Sequence, residues 1–213
     1  MERPDRAKHP PIMPLKVGIT GSLGSGKSTV AALLRERGYP VLDADALARE
    51  GREVLREEIC RAFPEACREG ALDERALARL VFSDEEKLRL LEGLLHPYVR
   101  RRLEEEMARL REAWPGGGAK APILFLEIPL LFEVGWEKAL DRTLVVAAPL
   151  EARLERVRLR SGLSREEALA REARQLPQEE KVRRADYVLW NTGDLDRLRR
   201  AVEALLRVLE SSP

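Results

Sequence analysis

The chain has 213 residues, enough for one α/β domain with a sizeable core or for such a domain with an inserted lobe. Its 38 basic and 37 acidic residues leave a net charge of +1, which removes any general electrostatic reason for a nucleic-acid or anionic-membrane partner. No apolar run approaches the roughly 18 residues of a membrane span, and Cys60 and Cys67, which form no metal-type pair, read as reduced thiols of a cytoplasmic protein.

Residues 1–13 are rich in proline and charge and lack the apolar block of an export signal, so they read as a disordered extension preceding a single unit over 14–213. From Val17 to Leu34 a short strand, a glycine-rich turn and an apolar helix follow one another. Gly21-x-x-x-x-Gly26-Lys27-Ser28 satisfies every fixed position of the phosphate-binding-loop pattern. A loop that wraps a phosphate turns its N–H groups inward and reaches positive φ, which glycine does without a Cβ clash. The following helix points the positive end of its dipole at the same anion. Lys27 is expected to reach the β- and γ-phosphates and Ser28 to offer its hydroxyl to Mg²⁺, while Thr29 helps hold the turn.

Tyr39–Leu42 reads as a second strand, ending in Asp43-Ala44-Asp45. Ligands of doubly wound sheets sit at strand carboxyl ends, and in extended backbone positions two apart share a face. One of these acids is therefore expected to take the proton of an attacking hydroxyl and the other to orient substrate or metal-bound water; the competing reading makes Asp45 a cap for a helix beginning at Ala46. From Ala46 to Trp114 apolar residues recur at helical spacing, with Ser83 and Glu86 placed as a capping box. In Leu95-His96-Pro97 the proline is expected to break or kink the helix, leaving His96 as a candidate binding residue. Arg100–Arg102 and Glu104–Glu106 place opposite charges four apart, the mark of a solvated helix face. Pro115 to Gly118 ends this lobe.

Pro122–Glu127 is a continuous apolar run suited to a central parallel strand and ends in Glu127, where a second carboxylate would approach Mg²⁺ directly or through water. Ile128–Glu133 follows, apolar and then acidic, where a turn meets the cleft. Thr143–Ala147 and Tyr187–Trp190 give the fourth and fifth strands of a doubly wound parallel sheet. Between them Glu151–Lys181, dense in arginine, reads as two helices punctuated by Gly162 and Pro177, a mobile cap whose planar guanidinium groups match phosphoryl charge. Arg156 and Arg160, four apart on one face, are the preferred pair over Arg153. Asn191 follows the last strand in a turn that could border the adenine, and Leu195, Leu198, Val202, Leu205 and Leu209 form the stripe of a structural closing helix.

Together, GITGSLGSGKSTVA, the VLDAD strand end, LHP, EIPLLFE, the arginine-rich segment reaching Gln175 and ADYVLWNTG resemble the dephospho-coenzyme A kinase family, in that family's order and over nearly the whole chain from Val17. The resemblance implies a phosphate-loop kinase of the nucleoside-monophosphate-kinase type: core 14–45, 120–150 and 185–213, helical acceptor lobe 46–116, arginine-bearing lid 151–184. It implies transfer of the ATP γ-phosphoryl group to the ribose 3′-hydroxyl of dephospho-coenzyme A, with Mg²⁺ accompanying ATP, in a cytoplasmic monomer or weak homo-oligomer. Gly24, Ser25, Gly26, Lys27, Ser28, Thr29 and Asn191 would then hold ATP, Asp43, Lys27, Arg156 and Arg160 would carry catalysis, and Asp45, His96 and Glu133 would meet the acceptor. Ser22-Leu23 and Glu127 depart from the commoner Gly-Ile and Asp. The alternatives are another small-molecule kinase of this architecture, acting on a nucleoside monophosphate, shikimate or gluconate, and a non-catalytic ATP-binding switch.

Overall fold

The computed structural model of the protein describes residues 13–115 and 122–211. The terminal extension, Met13 excepted, and the glycine run 116–118 lie outside the described residues. β1 (Leu15–Thr20) is the middle strand of a five-stranded sheet that also contains β2 (Val41–Asp43), β5 (Ile123–Glu127), β6 (Arg142–Ala147) and β7 (Tyr187–Trp190), in the order β2-β5-β1-β6-β7. β1 pairs in parallel with β5 and β6, and β6 with β7, in a register that sets Ile19 beside Glu127 on one side and Leu144 on the other. Parallel strands covered on both faces need no polar alternation, and Val17, Ile19, Leu124, Phe125, Leu126, Leu144, Val145 and Val146 are fully buried.

α1 (Lys27–Glu36) and α9 (Leu195–Ser211) pack on this sheet, contributing Val30, Leu33 and Leu34 from one and Leu198, Val202, Leu206 and Leu209 from the other to a single apolar cluster. Each such side chain contributes about 1.5–3 kcal/mol on leaving water. The expected stripe of the closing helix shifts slightly: Leu195 lies exposed, and Leu206 is buried.

Asp43–Arg109 forms a separate compact unit, and the described residues up to Leu42 and from Leu110 onward form the other. The smaller unit contains α2 (Ala44–Val54), α3 (Arg56–Ala62), β3 (Cys67–Arg68), β4 (Ala71–Leu72), α4 (Glu74–Phe82) and most of α5 (Glu85–Ala113). Its core is Ile59, Phe63, Ala66, Leu77, Leu91 and Leu95.

Four details of this unit differ from the sequence expectation. β3 and β4 pair as a small antiparallel hairpin, where the spacing had given only a break between helices near Pro64 and Gly70; Glu69 (φ 51) and Gly70 (φ 78) supply the two left-handed residues that a two-residue turn needs. Cys60 and Cys67 are joined in a disulfide rather than free, because the single helical turn Pro64–Ala66 folds the chain back and brings their Cα atoms within 5.6 Å. Asp84, not Ser83, receives the first N–H groups of α5, from Glu86 and Lys87, while the Ser83 hydroxyl donates back to Arg79 and Leu80 carbonyls at the end of α4. α5 also continues past Pro97 as one helix of 29 residues, so the proline does not break it, with Leu95, Tyr98 and Val99 buried around it.

The arginine-rich segment forms three helices rather than two: α6 (Leu150–Ser161), α7 (Arg165–Glu172) and α8 (Gln178–Arg184). Gly162 ends the first in the left-handed region, Ser164 and Glu167 open the second with a reciprocal capping box, and Pro177 precedes the third. Among the described residues no helix is long and apolar enough to cross a membrane.

Candidate active site

The loop between β1 and α1 turns on Gly24 (φ 77) and Gly26 (φ 98), and α1 opens with no side-chain cap over its first N–H groups. A helix end left this way is an anion site by construction. Ser25 N–H donates to the Ser22 carbonyl at 3.1 Å. The Ser22 and Ser25 hydroxyls are buried and have no partner among the described residues. A Cβ on Gly26 would collide with the Asn191 amide, and one on Gly24 with the Arg153 carbonyl, so both positions are confined from behind as well as by their dihedrals.

Ser28, exposed in the first turn of α1, donates its hydroxyl to Glu127 Oε1 at 3.0 Å, tying the loop to the end of β5. Among the described residues no group of three or more His, Cys, Asp or Glu gathers into a metal cage. One hydroxyl and one carboxylate are hard oxygen donors of the kind Mg²⁺ takes when phosphates and waters fill most of its octahedron. The residues present therefore fit a nucleotide-bound Mg²⁺ and not a metal held by the protein alone.

The expected arginines separate into distinct environments. Arg156 directs Nη1 to the Gly24 and Ser25 carbonyls (3.2 and 3.4 Å) and Nη2 to the Asn191 carbonyl (3.0 Å), so its guanidinium serves the back of the loop. Arg153 is 3% exposed, bonds the Ala148 and Leu23 carbonyls and pairs with Glu172 at 2.7 Å. Arg160 is exposed and makes no ion pair among the described residues. Asn191 donates Nδ2 to the Ser25 carbonyl at 3.0 Å. Lys27 is half-buried as the first residue of α1, and Thr29 is exposed.

Asp43 ends β2 and caps α2, its Oδ1 accepting from the Asp45 and Ala46 N–H groups at 2.9 and 3.2 Å. The helix therefore begins at Ala44, and the cap is Asp43 rather than Asp45. The extended backbone that would have put both acids on one face stops at Asp43, and Asp45 is exposed in the first helical turn. His96 lies exposed on α5.

Sequence reasoning missed a buried polar network beside α8. Lys181, fully buried, places Nζ 3.4 Å from Glu133 Oε2 and 3.0 Å from Gln175 Oε1. The same Glu133 oxygen accepts from Leu176 N–H, while Oε1 is buried without a partner among the described residues. Burial pushes the Lys181 ammonium below the ordinary lysine range, and the Glu133 carboxylate opposes that shift. Gln178 exchanges both amide bonds with the backbone of Ala148, at 3.1 and 3.0 Å. The available signal was composition: the only two glutamines of the chain, Gln175 and Gln178, both lie here.

The dephospho-CoA kinase family profile matches residues 15–197. A dephospho-CoA kinase of Thermus thermophilus is 61% identical over 203 residues, covering 95% of this chain and 94% of the relative. One of Deinococcus radiodurans is 51% identical over 206 residues, covering 94% and 95%. A crystal structure from Thermus thermophilus, 60% identical, superposes with a TM-score of 0.79 over 92% of this chain and 98% of that one. A dephospho-CoA kinase structure from Campylobacter jejuni, 28% identical, gives 0.67 over 92% and 96%.

Proposed function

The chain belongs to the dephospho-CoA kinase family, and on that premise we infer that it transfers the γ-phosphoryl group of ATP to the ribose 3′-hydroxyl of dephospho-CoA, releasing ADP and coenzyme A. The observation that carries this is 61% identity to a dephospho-CoA kinase over 94% of that relative's length. Transfer of this kind needs positioning and charge more than covalent chemistry.

The loop Gly24–Thr29 grips the triphosphate through N–H groups, and Lys27 spreads positive charge over its outer phosphates. Ser28, with Glu127 directly or through water, would hold the Mg²⁺ that accompanies ATP, which would supply positive charge against the phosphates. Asp43 accepts the proton of the attacking hydroxyl, and Oδ2 is the oxygen left for this, because Oδ1 caps α2. Arg160 has a guanidinium without an ion partner among the described residues, which supports a role on the transferring group, and Arg156 adds charge beside the loop. Asn191 acts on the nucleotide through the loop it touches. Asp45, His96 and the remaining oxygen of Glu133 meet the acceptor. This reading is of a cytoplasmic enzyme, monomeric or weakly self-associated.

An acceptor panel tests it: ADP release by the purified protein with dephospho-CoA, a nucleoside monophosphate, shikimate or gluconate. Release with dephospho-CoA alone is expected. Turnover of another acceptor without dephospho-CoA turnover overturns the assignment, and stoichiometric ATP binding with no acceptor-dependent ADP makes the protein a switch.

A further inference from the structure

A loop whose N–H groups converge on an anion must turn its carbonyls the other way. In a buried loop those carbonyls need donors of their own, since an unmet buried acceptor costs as much as a lost hydrogen bond. Here the donors come from two places far apart in sequence. Arg153 Nη1 meets the Leu23 carbonyl at 3.4 Å, Arg156 Nη1 the Gly24 and Ser25 carbonyls, and Asn191 Nδ2 the Ser25 carbonyl. The two sources are joined, because Arg156 Nη2 also holds the Asn191 carbonyl at 3.0 Å. All of these residues lie in the same compact unit.

The approach is close enough that the glycines are needed on this side too, as the Cβ collisions with Arg153 and Asn191 demonstrate. Arg153 is held in place by Glu172, the last residue of α7, through a pair with side-chain exposures of 4% and 17%. A chain of contacts therefore runs from α7 through Arg153 to the loop.

We propose that Arg153, Arg156 and Asn191 form a carbonyl-side clamp that presets the phosphate loop for its ligand, and that Glu172 sets the clamp through Arg153. This rests on the loop being the ATP phosphate site. The clamp lowers the cost of ordering the loop on binding, because the N–H groups are already turned inward when the nucleotide arrives. It also makes Arg153 and Arg156 positioning residues, acting on phosphate through the backbone rather than by touching it. Lysine has one compact donor group in place of the planar fork that spans three carbonyls, so it is a poor substitute at 156.

The test is ATP and ADP binding by the full chain, titrated calorimetrically, beside steady-state kinetics for Arg156→Met, Arg156→Lys and Glu172→Gln. Loss of charge-assisted bonds to the loop is expected to weaken ATP and ADP about ten- to a hundredfold in Arg156→Met, with a smaller loss in Arg156→Lys. Glu172→Gln, which keeps its shape and loses its charge, is expected to weaken both nucleotides several-fold while leaving the acceptor KM unchanged. Thermal melts of each variant keep affinity separate from folding: an unfolded Arg156→Met is replaced by Glu172→Gln, which decides alone. Unchanged ADP affinity in folded variants overturns the proposal. So does a fall in kcat with both KM values intact, which would make Arg156 a contact of the transferring group. ADP titration needs no acceptor, so failure of the dephospho-CoA assay leaves this test standing.

Discussion

Ser28 Oγ donates to Glu127 Oε1 at 3.0 Å, joining the helix after the phosphate loop to the end of the neighbouring strand. The proposed function sets this carboxylate beside Mg²⁺, as a ligand or through water. Glu127→Gln keeps the hydrogen-bonding shape and removes the charge. The Mg²⁺ concentration for half-maximal activity is expected to rise about ten- to a hundredfold. A metal titration with an unchanged midpoint would remove Glu127 from the metal's surroundings.

Lys27→Ala is expected to lower kcat/KM by about 10²–10³-fold, the scale for losing one preorganised charge on a reacting phosphate. Steady-state kinetics at saturating Mg²⁺ measure it, and activity within a few-fold of wild type would count against a phosphate contact.

Asp43 has two roles that one substitution separates. Asn caps helices about as well as Asp, so Asp43→Asn should melt near the wild-type temperature. Loss of the proton acceptor is expected to lower kcat roughly 10²-fold or more, with ATP affinity little changed. A near-normal kcat would withdraw the base assignment.

Lys181 and Glu133 are buried partners. Lys181→Met leaves the Glu133 carboxylate without its cation and is expected to cost about 3–5 kcal/mol in denaturant unfolding, with recovery in the Lys181→Met, Glu133→Leu double variant. The pH dependence has a definite sign. Burial makes native Lys181 release its proton below the pH at which the unfolded chain does, so the unfolded state binds more protons in that window. Wild type should therefore gain stability relative to Lys181→Met as pH rises from the lowered native value to the ordinary lysine range. A flat difference across that window would contradict the burial account.

The Cys60–Cys67 bridge closes a short loop around the buried Phe63 and Ala66. Reductant is expected to lower stability by about 2–3 kcal/mol, the chain-entropy scale for a loop of this length. Cys60→Ser should show the same loss and no further response to reductant. Equal melting temperatures with and without reductant would show that the bridge is absent in solution.

The strands and the loop were legible because their signals are local. An apolar run ending in Glu127 and a glycine pattern ending in Lys27-Ser28 each lie within a few residues, and both appear where expected. What escaped depends on distance in sequence. Nothing local says that Lys181 faces Glu133 or that Arg156 reaches Gly24. The small hairpin was hidden for another reason: Glu69 sits in the left-handed region, where a sequence reader expects Asn or Gly. The cap at Asp43 was misplaced by two residues because three consecutive positions, Asp43-Ala44-Asp45, offer two equally good caps.

The Asn191 amide fills the space that a side chain at Gly26 would need, while holding the Ser25 carbonyl next to it. A methyl group at 26 has nowhere to go while the amide remains, and trimming the amide leaves the Ser25 carbonyl only the longer bond from Arg156. Shortening residue 191 alone therefore cannot make room for a side chain at 26, because the left-handed backbone there keeps the position for glycine even when the space is open.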